Sequence, residues 1–153
     1  MTTVVADMVE AYLFRTMNAR LQFLLLLRRP DLPLGGTWQS IHGDIVPQET
    51  ARQAADRAIR ECTGLTLEDA YSADFVTQTY NHTRDTVILA PVLAFAVPTG
   101  ARIDLGEEFV DSAWCERDEA SARLLWSGQR WAVRHIDEIM GLGGGEAEFY
   151  RIT

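Results

Sequence analysis

A segment between residues 43 and 65 carries charged residues at spacings that suit metal chemistry. Helical positions 58, 61 and 62 would share one face, because residues three and four apart are neighbours on a helix. Carboxylates there would converge on a hard divalent ion, which prefers several oxygen ligands. Only Glu61 supplies one, since the other two positions hold Ala58 and Cys62. Alanine cannot ligate a metal, and a thiolate suits zinc or copper better than magnesium.

The whole segment resembles the Nudix box, G-x5-E-x7-R-E-U-x-E-E-x-G-U with U aliphatic. The matching residues are Gly43, Glu49, Arg57, Ile59, Glu61, Gly64 and Leu65. The family has metal-binding glutamates where this chain has Ala58 and Cys62, so the box is degenerate. Flanking elements are similar, more narrowly, to the MutT-like branch that cleaves dATP and dihydroneopterin triphosphate. These elements are Leu27-Arg28-Arg29, Trp38-Gln39-Ser40, Glu108 with Trp114, and Trp126-Ser127 with Arg130.

The resemblance implies an α/β protein with the Nudix fold, a mixed β-sheet sandwiched between helices. It also implies a pyrophosphohydrolase that cleaves a nucleoside triphosphate or another nucleoside-diphosphate-linked substrate by metal-assisted water attack. The implied metal ligands are the Gly43 carbonyl, Glu61 and Glu108, and the two glutamates are the implied catalytic residues. The cofactor would be Mg²⁺ or Mn²⁺, bound weakly because two carboxylates are missing.

The resemblance also assigns roles around this depleted metal site. Glu49 and Arg57 match the pair that braces the box loop against its helix. Arg28 and Arg29 are candidates to bind substrate phosphates bidentately, although a solvated pair at a strand end is an equal alternative. Trp38 and Trp126 are candidates to stack on a base or pterin ring, although packing explains most tryptophans.

A second interpretation keeps the fold without the chemistry. The apolar stripe of the box helix is what an ordinary core-packing helix shows, and its members are Ala51, Ala55, Ala58 and Cys62. Glu61 and Glu108 can equally be solvated surface residues. His42, beside the box glycine, is a candidate stand-in acid or base, although lone loop histidines are usually not catalytic. The alternative function is therefore a catalytically silent Nudix-fold module for nucleotide binding, regulation or protein interaction.

The size and net charge of the chain limit the kinds of partner that it can bind. The chain has 153 residues and a net charge of −8, which suits a single domain and disfavours binding to a nucleic-acid polymer. A small-molecule nucleotide or pterin triphosphate is the predicted partner, and a homodimer is compatible with the resemblance. The longest aliphatic run, residues 23–27, is too short to span a bilayer. Two cysteines without metal-ligand spacing predict free thiols and a cytoplasmic location.

Hydrophobic periodicity and turn residues predict the elements that position these groups. Strands are expected at residues 4–17, 21–29, 37–46, 72–80, 86–97 and 108–115, and later helices at 118–125 and 127–140. The box helix is expected between Thr50, which forms a capping box with Gln53, and Gly64. A single domain over residues 1–140 would then precede a Gly-rich C-terminal tail over residues 141–153.

The helix over residues 127–140 is expected to pack one apolar face on the sheet. Its predicted buried residues are Trp131, Val133, Ile136 and Met140.

Overall fold

A computed structural model describes residues 1–141 and 145–153 of the chain. The strands are β1 Thr3–Val5, β2 Met8–Met17, β3 Arg20–Arg28, β4 Trp38–Gln39, β5 Ile41–Asp44, β6 Ala70–Asn81, β7 Thr86–Ala96, β8 Phe109–Cys115 and β9 Arg151–Ile152. The helices are α1 Ala51–Thr63, α2 Arg117–Arg123 and α3 Ser127–Gly141, with a 3-10 helix at Glu146–Tyr150. None of the described helices is long and apolar enough to cross a membrane.

The strands form one mixed sheet whose main path runs β4-β3-β2-β7-β6-β9. β2 pairs in parallel with β7, whereas the β2–β3 and β6–β7 pairs are antiparallel. Three further strands join by antiparallel pairing of β5 with β2 and of β8 with β3, and by parallel pairing of β1 with β7. The predicted strand over residues 4–17 is therefore two strands, β1 and β2.

Both faces of the sheet are buried. Leu24 and Leu26 of β3 belong to the hydrophobic cluster under α1, whereas Phe23 and Leu25 belong to the cluster under α2 and α3. Successive side chains of a strand point to opposite faces, so the Leu-rich run of β3 is buried on both sides. This arrangement confirms the predicted sheet sandwiched between helices.

The ends of α1 follow from its terminal residues, as predicted. The Thr50 hydroxyl accepts from the Gln53 backbone N–H at 3.1 Å, and the Thr50 N–H donates to the Gln53 side chain at 2.9 Å. Gly64 ends the helix in the left-handed conformation, with φ of 73°, which glycine adopts without steric cost. The box helix therefore has fixed ends on which a site can be built.

The predicted buried face of α3 is only partly right. Ala132, Val133 and Ile136 are fully buried, but Trp131 is 51% exposed. Gln129 is buried in its place, where its side chain accepts from the Trp126 N–H at 3.0 Å and donates to the Gln39 side chain at 2.8 Å. A buried glutamine with these partners costs little, which hydrophobic periodicity alone cannot reveal.

The end of the chain returns to the sheet. Of the tail predicted over residues 141–153, residues 142–144 lie outside the described residues. Strand β9 pairs antiparallel with β6, with Tyr71 opposite Arg151. The Arg151 guanidinium contacts the Asp69 carboxylate at 2.7 Å and the Tyr71 hydroxyl at 2.9 Å. Residues 146–152 are thus part of the fold rather than a tail, because hydrogen bonds and an ion pair hold a segment too short to show periodicity.

Candidate functional site

The loop between β5 and α1 is held by one arginine. Nε and Nη2 of Arg57 donate to the two Glu49 carboxylate oxygens at 3.1 and 2.9 Å, and Nη2 also donates to the Asp44 carbonyl at 2.7 Å. The Val46 N–H donates to Glu49 at 3.2 Å. The hydrogen bonds from Arg57, followed by the one from Val46, hold the pKa of Glu49 below its ordinary value. These contacts have the geometry of the bracing role assigned to Glu49 and Arg57.

Gly43 lies where α1 crosses β5 at close range. A Cβ atom at Gly43 would stand 3.1 Å from the Ala58 Cβ and 3.2 Å from the Ala54 carbonyl oxygen. Ala58 is 4% exposed in this contact. The helix position that carries a metal-binding glutamate in the family is therefore filled by a small packing residue.

The last turn of α1 is joined to the loop before β8. The Gly106 N–H donates to the Cys62 carbonyl at 2.9 Å, and the Asp104 N–H donates to the Thr63 carbonyl at 2.9 Å. A Cβ at Gly106 would lie only 2.5 Å from the Glu61 carbonyl oxygen, so this approach requires glycine. Through this contact, the chain brings Glu108, two residues further on, to the end of the box helix.

Cys62 sits among the carboxylates at this end of α1. Burial raises the pKa of its thiol to about 11, and the charges of Glu108 and Glu61 add to the effect. The thiol is therefore protonated at neutral pH and is no substitute for the missing glutamate. Oε1 of Glu61 is 3.9 Å from Nη1 of Arg57, and Oε2 of Glu108 is 3.2 Å from Nη1 of Arg28. Both glutamate side chains are about two-thirds exposed.

The metal-ligand set is small. Across residues 1–141 and 145–153, no group of three or more His, Cys, Asp or Glu side chains is placed to hold a metal ion. Mg²⁺ is often held by one or two carboxylates together with waters and substrate phosphates. Glu61 and Glu108, which both act electrostatically on Cys62, are two carboxylates, fewer than the three that the resemblance places on the box helix alone.

A cavity of about 840 Å³ opens beside these residues. Arg28, Cys62 and Glu108 line its charged end. Its remaining wall comes largely from β2, β5, β6 and β7 and from the start of α3. Residues of this wall include Met8, Glu10, His42, Phe75, Thr77, Ile88, Trp126 and Gln129. The volume lies within the range of pockets that bind small molecules and cofactors.

The three predicted substrate contacts do not all lie at the cavity. They are Arg28, Arg29 and Trp38. Arg28 lines the cavity and donates to the Pro33 carbonyl at 2.6 Å. Arg29 instead forms an ion pair of 2.6 Å with Asp31, two residues away.

Trp38 is not among the residues that line the cavity. The ring packs against the cluster under α2 and α3, with the Arg123 guanidinium 5.0 Å from its centroid. Two exposed aromatic residues, Tyr80 and Trp126, do line the cavity.

Sequence reasoning missed Glu10, a carboxylate on the cavity wall that is 6% exposed. It lies opposite His42 in the β2–β5 ladder, and His42 Nε2 is 3.3 Å from its Oε1. The Thr77 hydroxyl donates to its Oε2. The available signal was a single glutamate within the otherwise apolar residues 8–14 of β2, because a buried charge usually requires partners.

Comparisons place this geometry in a family. A family model described as NUDIX domain matches residues 8–136. Comparison with curated protein sequences finds no significant match.

Solved structures share the fold at low sequence identity. The MutT protein from Methanosarcina mazei Go1 is 20% identical with a TM-score of 0.71, over 90% of this chain and 96% of that one. The E. coli dihydroneopterin triphosphate pyrophosphohydrolase is 20% identical with a TM-score of 0.69, over 85% and 95%. The NUDIX domain of Shewanella oneidensis NrtR, solved with ADP ribose, is 16% identical with a TM-score of 0.67, over 92% and 89%. The fold predicted from the box is thereby confirmed, and the chain belongs to the NUDIX domain family.

Proposed function

We propose that this protein is a Nudix-type pyrophosphohydrolase that cleaves a nucleoside triphosphate or another nucleoside-diphosphate-linked substrate with a depleted metal site. The observation that carries the proposal is that Glu61 and Glu108 both lie near enough to Cys62 to raise the pKa of its thiol, and that Cys62 and Glu108 line a cavity large enough for a nucleotide. The braced box loop supports it, because Glu49 and Arg57 hold the segment between Gly43 and α1 in one conformation.

The residues have separable roles in this mechanism. Glu61 and Glu108, with the Gly43 carbonyl and retained waters, would hold Mg²⁺ or Mn²⁺ weakly. A bound ion would neutralise the charge that develops on the phosphate oxygens. Glu108 would accept a proton from the water that attacks phosphorus as the bridging P–O bond breaks. Arg28, whose Nη1 is 3.2 Å from Oε2 of Glu108, would bind a phosphate oxygen at the same end of the cavity.

The test is product release from nucleoside triphosphates and dihydroneopterin triphosphate, in the presence of Mg²⁺, Mn²⁺ or EDTA. We expect metal-dependent turnover, with a loss of about 100-fold or more in Glu61→Gln and in Glu108→Gln, since a general base alone contributes about 10²–10⁴-fold. Glu138→Gln removes an exposed carboxylate from α3 and is the matched control. Unchanged turnover in Glu61→Gln would remove that residue from the mechanism.

A second candidate function is a module that binds a nucleotide-like ligand or a protein partner without hydrolysing it. The buried Ala58 and the protonated Cys62 favour it, because both positions lack the carboxylates of the family pattern. Ligand binding in EDTA without product formation supports this alternative. Hydrolysis that appears only in the double variant Ala58→Glu, Cys62→Glu would show that the rest of the site is competent. The natural protein would then lack activity because it lacks these two carboxylates.

We propose a cytoplasmic location for this protein. The free thiols of Cys62 and Cys115 agree with a reducing cytoplasm. We also propose a homodimer as the assembly to test, and sedimentation of the purified protein distinguishes it from a monomer.

A further inference from the structure

The wall of the cavity contains a buried carboxylate that the proposed hydrolysis does not use. Glu10 is 6% exposed, and its side chain points to the same face of the sheet as His42 on the neighbouring strand β5. Its Oε1 is 3.3 Å from His42 Nε2 and 3.5 Å from the Tyr12 hydroxyl, and its Oε2 accepts from the Thr77 hydroxyl. Burial, followed by the charge of Glu10, raises the pKa of Tyr12 well above its ordinary value, so that hydroxyl stays protonated.

Both oxygens of this carboxylate have polar partners, and within the described residues these partners are three side-chain groups. In the described part of the chain, His42 is the one basic side chain within ion-pair distance of Glu10. An ionised carboxylate has about four acceptor sites on its two oxygens. Leaving part of that capacity unmatched in a buried position costs free energy, unless a ligand in the cavity supplies donors.

The side chains that line the cavity around Glu10 suit an aromatic ring. Phe75 and Trp126 supply aromatic surface to its wall, and Met8 and Ile88 supply aliphatic surface. Aromatic side chains stack on heterocycles whatever the base, so they bind a ring without selecting it. Selection must come from the polar groups at the ring's edge.

We propose that Glu10 selects a ligand ring that presents two adjacent N–H donors, the pattern of a ring N–H beside an exocyclic amino group. Guanine and pterins share this pattern, and their two parallel N–H groups match the two oxygens of one carboxylate. Adenine presents a ring acceptor beside its amino group, so it would face the carboxylate with a lone pair. The inference rests on the proposed function in taking this ring to belong to the nucleotide or pterin substrate.

A ligand series tests the inference on the natural protein. Dissociation constants are measured by calorimetry for the α,β-methylene analogues of GTP, ITP and ATP with Mg²⁺, because these analogues resist cleavage of the α–β bond. ITP keeps the ring N–H and lacks the amino group, so it removes one donor of the pair. We expect GTP to bind about 10- to 100-fold more tightly than ITP or ATP, the discrimination typical of a bidentate contact. Competition by guanosine and by dihydroneopterin distinguishes the two sources of the ring.

A variant locates the selection. In Glu10→Gln, the preference for GTP over ITP is expected to fall to within about threefold, because one acceptor oxygen is replaced by an amide donor. Glu138→Gln serves as the charge-matched control and is expected to keep the full preference. Thermal melts establish that both variants are folded, and the series on the natural protein does not depend on either variant.

Three results would overturn the inference: ATP or ITP binding as tightly as GTP, an unchanged preference in folded Glu10→Gln, or no binding of any analogue at millimolar concentration. Selective binding without turnover of the hydrolysable nucleotides would leave the inference standing and reject the proposed hydrolysis. Turnover without ring preference would do the reverse. The two proposals therefore fail separately.

Discussion

At the scale of single residues, the Cys62 thiol shows how burial and charge decide chemistry. Burial and the charges of Glu108 and Glu61 raise its pKa to about 11, so nearly all of it is protonated at pH 8. The thiolate is the reactive form, and an unperturbed cysteine has a pKa of about 8.5. We expect iodoacetamide to alkylate Cys62 about 100-fold more slowly at pH 8 than it alkylates a free cysteine, with the rate still rising above pH 10.

Mass spectrometry of tryptic peptides follows this reaction site by site. Glutathione in the same tube gives the reference rate, and Cys115, which is fully buried, reports any unfolding. Rapid alkylation of Cys62 with Cys115 still protected would mean that the thiol is ionised. In that case it would be available as a ligand for a soft metal.

Glu49, in the box loop, is expected to make the free energy of unfolding depend on pH. Hydrogen bonds from Arg57 and Val46 lower its pKa below 4.5, its ordinary value. A lowered folded pKa gives stabilisation that is present above the unfolded pKa and lost as pH falls through the folded pKa. We therefore expect Glu49→Gln to lower the melting temperature at pH 7, with a difference from the natural protein that shrinks below about pH 4. Melts of both proteins across this range test the prediction, and a difference that is constant with pH would contradict it.

The sequence could predict contacts only between residues of the same short motif, the Nudix box. The spacing of Glu49 and Arg57 indicates their pairing, because the family pattern fixes both ends of it. Glu10 was not predicted, because its partners His42 and Thr77 come from two other strands. Arg29 was predicted as a phosphate ligand, but Asp31 engages it, and no pattern in the sequence separates it from Arg28.

At the scale of elements, the contact between α1 and the loop before β8 positions the proposed site. A Cβ at Gly106 would lie 2.5 Å from the Glu61 carbonyl, a distance that real contacts do not reach. We expect Gly106→Ala to push the loop away from α1, with destabilisation of about 1–3 kcal/mol from overpacking. Since Glu108 moves with this loop, turnover should fall by about 10- to 100-fold.

Urea unfolding and the turnover assay measure the two effects on the same preparation. Gly141→Ala is the matched control, because a Cβ there meets its nearest atom at an ordinary 3.8 Å at the end of α3. Equal stability and turnover in Gly106→Ala and the natural protein would show that the loop does not depend on this close approach.

Element boundaries were largely predictable where local residues set them. Thr50, Gln53 and Gly64 define both ends of α1, and the structure has the helix between them. The face of α3 was less predictable, because Gln129 is buried by hydrogen bonds to residues that are distant in sequence. Local signals thus define where helices end better than they define which side chains a helix buries.

At the scale of the whole molecule, the order of strands was beyond sequence reasoning. β7 pairs with β2 in parallel and with β6 antiparallel, and β8 pairs with β3 across about eighty residues of chain. The apolar runs of these strands predict that both faces of the sheet are buried. They do not indicate which strands are neighbours or which residues pair. That order nevertheless creates the cavity, because it places β2, β5, β6 and β7 side by side.

The end of the chain contributes to the stability of the whole molecule. Arg151 in β9 contacts Asp69 at 2.7 Å and the Tyr71 hydroxyl at 2.9 Å, and it also pairs with Glu148 at 2.8 Å. Networks of this kind contribute more than isolated surface ion pairs. We expect Arg151→Ala to release β9 from the sheet edge and to lower the melting temperature by a few degrees, without loss of the fold.

Arg20→Ala is the matched control, because Arg20 forms a single ion pair with Glu116 in which its side chain is 75% exposed. Its melting temperature should stay near that of the natural protein, since exposed single pairs contribute little. Hydrogen exchange gives the decisive comparison, because release of β9 should speed exchange of the Ala70 amide, which faces β9, relative to the amides of central strand β7. Unchanged protection at Ala70 in Arg151→Ala would mean that backbone pairing alone holds the end of the chain to the sheet.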